Sequence, residues 1–188
     1  MTEASQHLRD TKAILDAIVE RLRAVKLSDA EDAVAFERVE LFDLADWEDA
    51  LRRLAANQQR SAIVIWAGED WEHERELTVL TSRRSQSFEV MISERRLDNP
   101  VSALTGDDRS PGVVGLKDQV AKALTGILLD DTAKGESDAV YLTVQTIQRG
   151  VLSTDDKKKD PGRQVLILSV QSAGEWLQTA VSDNEAYA

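Results

Sequence analysis

Histidine and cysteine, the residues that most often bind metals or act as bases and nucleophiles, are scarce in this sequence. It contains no cysteine, and its two histidines, His7 and His73, are far apart. A zinc site or a Ser–His–Asp relay needs several such side chains held close together. The sequence therefore predicts neither a histidine metal cluster nor such a relay, and His73 by itself stays open as a reactive group.

Adjacent carboxylates could bind a hard cation at two places, Glu69-Asp70 and Asp155-Asp156. A calcium loop alternates its oxygen ligands and contains a glycine at its turn, and neither pair has that pattern. A nuclease site of acids and a lysine would have to converge on two strands, and no spacing indicates one. We predict no catalytic or metal residues and no enzyme activity, with a metal-dependent hydrolase or nuclease of unrecognised ligands as the alternative.

Two glycines, Gly112 and Gly115, precede a predicted helix, where backbone N–H groups can bind phosphate. A phosphate-binding loop of the common kind ends in Lys-Ser or Lys-Thr and follows a strand directly. The segment Pro111–Leu116 has neither property. We interpret it as a flexible entry to the helix and predict no cofactor.

Clusters of basic side chains are unusual in a chain whose formal net charge is −11. A lysine run between two strands is either a solvated hairpin tip or an arm that binds acidic groups of a partner or of the next copy of the protein. If all the basic clusters lay on one edge of a sheet, the resulting asymmetry would favour head-to-tail ring packing. The candidate interaction residues are Arg83, Arg84, Arg95, Arg96, Lys157, Lys158 and Lys159.

Trp71 is a further candidate contact residue, because it lies in the acidic segment Glu69–Glu76 that we predict to be a loop. The alternative is that its ring folds back onto the domain. The negative net charge disfavours nucleic-acid recognition. No apolar run reaches the roughly 20 residues of a membrane-spanning helix, and the N-terminus lacks a signal-peptide core, so we expect a soluble product made inside a cell.

The first half of the chain alternates helices with strands. Apolar residues at helical spacing predict a helix from Thr11 to about Val25. After an acidic connection, Phe36–Leu41 alternates apolar and charged residues as a half-exposed strand does. Asp46 to Asn57 reads as a second helix, and the continuous apolar run Ser61–Trp66 predicts a central strand covered on both faces.

The stretch from Ser87 to Leu129 combines a strand, a long connection and a helix. Leu77–Thr81 and Ser85–Arg96 predict either two strands or one long bent strand. A polar loop, Asp98–Gly112, leads to the most clearly amphipathic helix, Val113–Leu129. We expect Leu116, Val120, Leu124 and Ile127 to pack that helix onto the sheet.

Two strands at the C-terminal end, Val140–Ile147 and Arg163–Gln171, predict a hairpin joined by the charged loop Ser153–Gly162. The fold class is then α+β (mixed α/β): a single domain with a four- to six-stranded mixed or mostly antiparallel sheet, helices on one face and a long protruding C-terminal hairpin. We divide the chain into a flexible N-terminus (1–10), the domain (11–172) and an acidic tail (173–188).

The order of these elements resembles the tail terminator and tail-completion proteins of tailed bacteriophages, particularly those of Mu-like phages and contractile tails. The resemblance spans about Thr11 to Ser172 and rests on element order and apolar pattern. The segments that carry it are the opening helix with Ile14–Ile18, the strands Ser61–Trp66 and Phe88–Ile92, the helix from Gly112 to Gly126, and the final hairpin.

This resemblance implies a protein without catalysis that forms a hexameric ring on the head-proximal end of the tail tube. Such a ring stops polymerisation of the tube and joins the tail to the neck. The implied partners are other copies of the chain, the tail tube protein, and possible sheath and neck or head-completion proteins, in a virion tail assembled in the host bacterial cytoplasm. A minor head–tail connector or adaptor with the same layout is a further alternative.

Overall fold

Helices pack against a six-stranded mixed sheet in this protein. The computed structural model describes residues 10–28, 31–42, 60–76, 79–96, 98–108, 110–129, 140–150 and 163–180. The helices are α1 (Thr11–Arg23), α2 (Pro100–Thr105) and α3 (Gly112–Leu124). The strands are β1 (Lys26–Ser28), β2 (Glu31–Val34), β3 (Arg38–Phe42), β4 (Arg60–Glu76), β5 (Val79–Arg95), β6 (Gly126–Leu129), β7 (Val140–Gly150) and β8 (Arg163–Ala180).

The strand order of the large sheet is β3-β4-β5-β8-β7-β6. β3 runs parallel to β4, and the other neighbouring pairs are antiparallel. β1 and β2 form a separate two-stranded sheet within the segment that we predicted to be an acidic connection. The predicted α+β class, with a single domain and a mixed sheet, is confirmed.

The main hydrophobic core lies between the sheet and the two long helices. α1 buries Ile14, Ile18, Val19 and Leu22, at the spacing that predicted the helix. α3 buries Val113 with the predicted Leu116, Val120 and Leu124. The strand residues in the same cluster include Val64, Val90, Ile92, Leu168 and Val170.

Helix α3 ends earlier than the apolar pattern predicted. Its last residue is Leu124, and Gly126, with φ of +102°, begins β6. Ile127 is therefore a strand residue, and its assignment to the helix was wrong. The Arg21 guanidinium of α1 donates to the carbonyl of Ala123 at 2.9 Å, where a helix C-terminus favours a cation.

Two strands, β4 and β8, are longer than the sequence indicated. β4 continues through the predicted loop Glu69–Glu76. β5 is a single strand from Val79 to Arg95, which is one of the two predicted alternatives. β8 extends past Ser172 to Ala180 and pairs with β5 there, so the segment placed at the start of the acidic tail is a strand. The central run from Ser61 to Ile65 is buried on both faces, as predicted, whereas Trp66, the last residue of the predicted run, is 41% exposed.

The predicted C-terminal hairpin is present as β7 and β8, paired from Tyr141 with Ala173 to Gly150 with Val165. A bulge between Val144 and Thr146 interrupts the regular alternation of side chains along β7. The predicted helix Asp46–Asn57 and the loop Ser153–Gly162 lie outside the described residues. No helix among those described is long and apolar enough to cross a membrane.

Candidate interaction surface

A three-stranded ribbon is made of Gly68–Glu76 of β4, Val79–Ser87 of β5 and Ser172–Ala180 of β8, and Glu69 to Glu76 of its β4 strand are exposed. It begins at a bulge between Trp66 and Gly68. In the described part of the chain, β3 is the strand beside the outer edge of β4, and its pairing stops at Ile65. Among the described strands, none pairs with the outer edge of β4 beyond Ile65, and we call this edge the free edge.

Alternation along β4 gives the ribbon two different faces. Glu69, Trp71 and His73 point to one face, opposite Gln86, Arg84 and Ser82 of β5. The other face carries Asp70, Glu72, Glu74 and Glu76, all exposed, which we call the acidic row. The sequence was read as a loop here, although acidic and non-acidic residues alternate with the strand period from Asp70 to Glu76.

Trp71 contacts the side chains of Glu69 and Arg84 on the first face of the ribbon. Its indole Nε1 donates to Glu69 Oε1 at 3.0 Å. Arg84 is buried, with its guanidinium carbon 5.8 Å from the centroid of the Trp71 ring and Nη1 3.7 Å from Glu69 Oε2. Trp71 is 36% exposed. Of the two alternatives for this residue, the structure supports a ring that lies against its own strand pair while one side stays accessible.

His73 and Ser82 form the described contact that most resembles a base and nucleophile pair. His73 Nδ1 lies 2.8 Å from Ser82 Oγ, and the His73 ring stacks on Trp71 with centroids 6.2 Å apart. A nucleophile must meet its substrate, and Ser82 is only 4% exposed. The contact therefore joins β4 to β5, in a geometry that gives a substrate little access to the hydroxyl.

The predicted basic residues of β5 lie at opposite ends of that strand. Arg83 is exposed on the ribbon and pairs in register with Glu72, whereas Arg84 is buried beside Trp71. Arg95 and Arg96 lie at the other end of β5, where Arg95 pairs with Arg163 at the start of β8. The two arginine pairs do not combine into one basic rim.

Arg96 is occupied by contacts within its own chain. Its Nη1 donates to Asp107 Oδ1 at 2.9 Å, and its Nη2 donates to Asp98 Oδ2 at 3.1 Å. These hydrogen bonds raise the pKa of Arg96, and they hold the pKa of the Asp98 carboxyl below its usual value. Arg96 thus ties both ends of the α2 segment to the end of β5.

Lys157, Lys158 and Lys159 lie outside the described residues. They belong to the connection between Gly150, the end of β7, and Arg163, the start of β8. Arg163 pairs with Arg95, at the end of β5 farthest from the ribbon. The interaction role of the three lysines stays a prediction.

Glu94 is a buried carboxylate that the sequence did not distinguish from the charged residues after it. It is 1% exposed, and its Oε2 has no hydrogen-bond partner among the residues that the structure describes. Burial raises the pKa of the Glu94 carboxyl, and a hydrogen bond with Ser110 and the charges of Arg60 and Arg96 offset this only in part. The carboxyl sits where the end of β5 meets the loop before α3.

The start of α3 is tightly packed, which differs from the predicted flexible entry. Gly112 is buried with φ of +65°, and a Cβ there would lie 2.3 Å from the backbone nitrogen of Gly106. Its N–H donates to Ser110 Oγ at 3.3 Å. The Gly106 backbone therefore leaves no room for a side chain at position 112.

A surface depression of about 300 Å³ lies beside the bulges of β4 and β7. Its lining includes one carboxylate, that of Glu89, together with amides and hydroxyls such as Gln145 and Ser169. These groups can form hydrogen bonds with a polar surface. Among the described residues, no group of three or more histidine, aspartate or glutamate side chains is placed to hold a metal ion.

Comparison with known proteins adds no family to this description. No protein-family model matches the chain, and no curated protein is significantly similar to it.

Proposed function

We propose that this chain is a structural phage tail protein, a tail terminator that forms a hexameric ring on the head-proximal end of the tail tube. The ring stops polymerisation of the tube, and of the sheath in a contractile tail, and joins the tail to the neck. Its partners are other copies of itself, the tail tube protein, and sheath and neck or head-completion proteins. The resemblance in element order supplies this specific role.

The observation that best supports an assembly role is the free edge of β4 on the projecting ribbon. Unpaired N–H and C=O groups on an edge strand are a template for pairing with another chain, and proteins that remain monomeric usually shorten or cover such edges. Here Trp66, Ala67 and Glu69 to Glu76 are all exposed. A surface of this kind suits a subunit that is completed by a neighbour.

The size and shape of the purified full-length chain test the proposal. We expect sedimentation velocity and negative-stain electron microscopy to show a six-membered ring, or a monomer that converts to one as its concentration rises. Co-sedimentation with purified tail tubes should place the ring at one tube end. A chain that stays monomeric at all concentrations, and with tubes present, would contradict the proposal.

The same preparation separates the alternative functions. A metal-dependent hydrolase or nuclease would cleave DNA, RNA or a phosphodiester substrate when Mg²⁺ is added, and chelation would stop the cleavage. A head–tail connector would bind head particles and leave tubes unbound. We expect no cleavage and binding to tubes.

A further inference from the structure

We propose that the free edge of β4 binds an extended segment of a partner protein that carries lysine or arginine at alternate positions. The segment joins the ribbon as a further strand beside Gly68–Glu76. The contact rests on the proposed assembly role and deepens it, because it specifies the chemistry of one partner. Three features of the ribbon define that chemistry: its backbone edge, its acidic row and its exposed rings.

The backbone of β4 determines the shape of the partner. The last pair between β3 and β4 is Phe42 with Ile65, and no other described strand pairs with the free edge. In an edge strand, the N–H and C=O groups of alternate residues point away from the sheet, where an extended segment can pair with them. From Gly68 to Glu76 this edge is ~30 Å long, at about 3.3 Å per residue.

The acidic row determines the charge of the partner. Glu72 has a cation, Arg83, in register on β5, whereas the other three carboxylates of the row lie in register with uncharged residues, which are Ser85, Thr81 and Val79. From Trp66 to Glu76 the strand contains five acidic residues and one basic residue. Members of the row are two residues apart, so an added strand presents every second side chain to them. Basic side chains at those positions complement the row.

The other face of the ribbon determines the residues between the basic ones. Trp71 is 36% exposed, and the ring of the exposed His73 stacks on it. Side chains that alternate with the basic residues lie on this face, beside the two rings. β-branched and aromatic side chains pack well against such cross-strand neighbours. The partner segment therefore alternates basic residues with β-branched or aromatic ones.

The same edge of a second copy does not meet these requirements. Two identical edges pair in antiparallel fashion about a two-fold axis, and residues opposite each other then share a face. With the axis at His73, Glu72 lies opposite Glu74, and neighbouring registers oppose the two acidic rows as well. Like charges directly opposite destabilise a strand pair. The row therefore disfavours self-pairing, as charges on edge strands commonly do, and it favours a basic partner.

Peptide binding to the full-length chain tests the proposal. The probe is a fluorescently labelled nine-residue peptide that alternates lysine with threonine and has lysine at both ends. We expect it to bind and to slow amide hydrogen exchange in β4 beyond Ile65. A peptide of the same composition, with its lysines and threonines in two separate blocks, should bind about tenfold more weakly. A peptide methylated on every backbone nitrogen keeps the charges but cannot donate backbone hydrogen bonds, and it should not protect β4.

Neutral variants of the acidic row test the charge. The row variant combines Asp70→Asn, Glu74→Gln and Glu76→Gln, and it retains Glu72 because Arg83 lies in register with it. Three exposed charge pairs together should make its affinity for the alternating peptide about tenfold weaker. A matched control removes the same charge at exposed positions away from the ribbon, by Glu20→Gln, Asp108→Asn and Asp118→Asn.

The control should bind the alternating peptide as the wild type does. Equal weakening in the row variant and the control would overturn the proposal, because the peptide would then sense only the net charge of the chain. Binding of the blocked or the methylated peptide as tightly as the alternating one would also overturn it, because neither can place alternate lysines on a paired strand edge.

Sedimentation of the wild-type chain without peptide separates this contact from the proposed ring. A chain that forms rings and does not bind the alternating peptide would overturn the basic partner and leave the ring. A monomeric chain that binds the peptide through the acidic row would overturn the ring and support the partner contact. Peptide binding that disappears as the chain assembles would place a second copy on the free edge and would overturn the proposal.

Discussion

Trp71 and Arg84 face each other across β4 and β5, with the guanidinium carbon of Arg84 5.8 Å from the centroid of the Trp71 ring. Arg84 is buried in this position, and Glu69 accepts a hydrogen bond from the Trp71 indole while its other oxygen faces Arg84. The Trp71 ring therefore covers the guanidinium of Arg84 within the ribbon.

Trp71→Ala should loosen the ribbon while leaving the helix-packed core intact. Loss of the ring exposes Arg84 and removes a cation–π contact of about 0.5–2 kcal/mol. We expect faster amide hydrogen exchange in β4 and β5 on the ribbon, and little change in the exchange of α1 and α3.

Arg84→Lys is the companion variant, because lysine keeps the charge and loses the planar group that stacks on the ring. It should accelerate exchange in the same amides by a smaller factor. Exchange that speeds up equally throughout the protein would show that Trp71 supports the whole fold and not the ribbon alone.

Glu94→Gln should raise thermal stability at neutral pH. The folded-state pKa of Glu94 lies above its ordinary value of 4.5, so the folded protein binds a proton more readily than the unfolded chain. Stability from this group is therefore greatest below 4.5 and falls as the pH rises through the raised folded-state pKa. Glutamine resembles the protonated carboxyl and does not titrate. The stability of the variant should therefore not fall as the pH rises through this range.

Melting temperatures measured from pH 4 to pH 8 check the Glu94 prediction. In a protein of this size, each kcal/mol of stability changes the melting temperature by about 2–4 °C. Asp98→Asn is a control of opposite sign. The pKa of Asp98 is lowered by Arg96, so its stabilisation is present at neutral pH and is lost as the pH falls. A Glu94→Gln variant less stable than the wild type at pH 7 would contradict the prediction.

Leu124→Ala should cost about 2–5 kcal/mol of unfolding free energy, the usual range for a leucine truncated in a packed core. Leu124 is fully buried at the last turn of α3. Val114, on the same helix, is 39% exposed, and Val114→Ala should cost less than about 1 kcal/mol. Urea denaturation of both variants makes the comparison, and equal losses would mean that the core is elsewhere.

Gly112→Ala should destabilise the protein by more than Gly126→Ala does. Both glycines have positive φ, but a Cβ at Gly126 would meet no atom within 4 Å, whereas one at Gly112 would collide with the Gly106 backbone. We expect about 1–2 kcal/mol for Gly126→Ala from backbone strain and about 3 kcal/mol or more for Gly112→Ala. Denaturant midpoints check this order. Equal losses of stability in the two variants would mean that the backbone around Gly106 shifts at little energetic cost.

The amphipathic helices and the buried strands could be predicted from the sequence because burial selects a periodic apolar pattern. Ile14, Ile18 and Leu22 recur with the helical period, and the apolar run from Ala62 to Ile65 is covered on both faces. The α+β class followed from the order of these elements. The same pattern could not locate the end of α3, because Ile127 fits the helical period although the chain turns at Gly126.

Only the tertiary structure decided the ribbon and its free edge. From Glu69 to Glu76 both strand faces are exposed, so no apolar alternation marks a strand, and the backbone is held by pairing with β5, itself paired with β8. The burial of Arg84 and Glu94 was equally absent from the sequence, because each stands among charged neighbours, and only the strands and loops packed around them remove them from water.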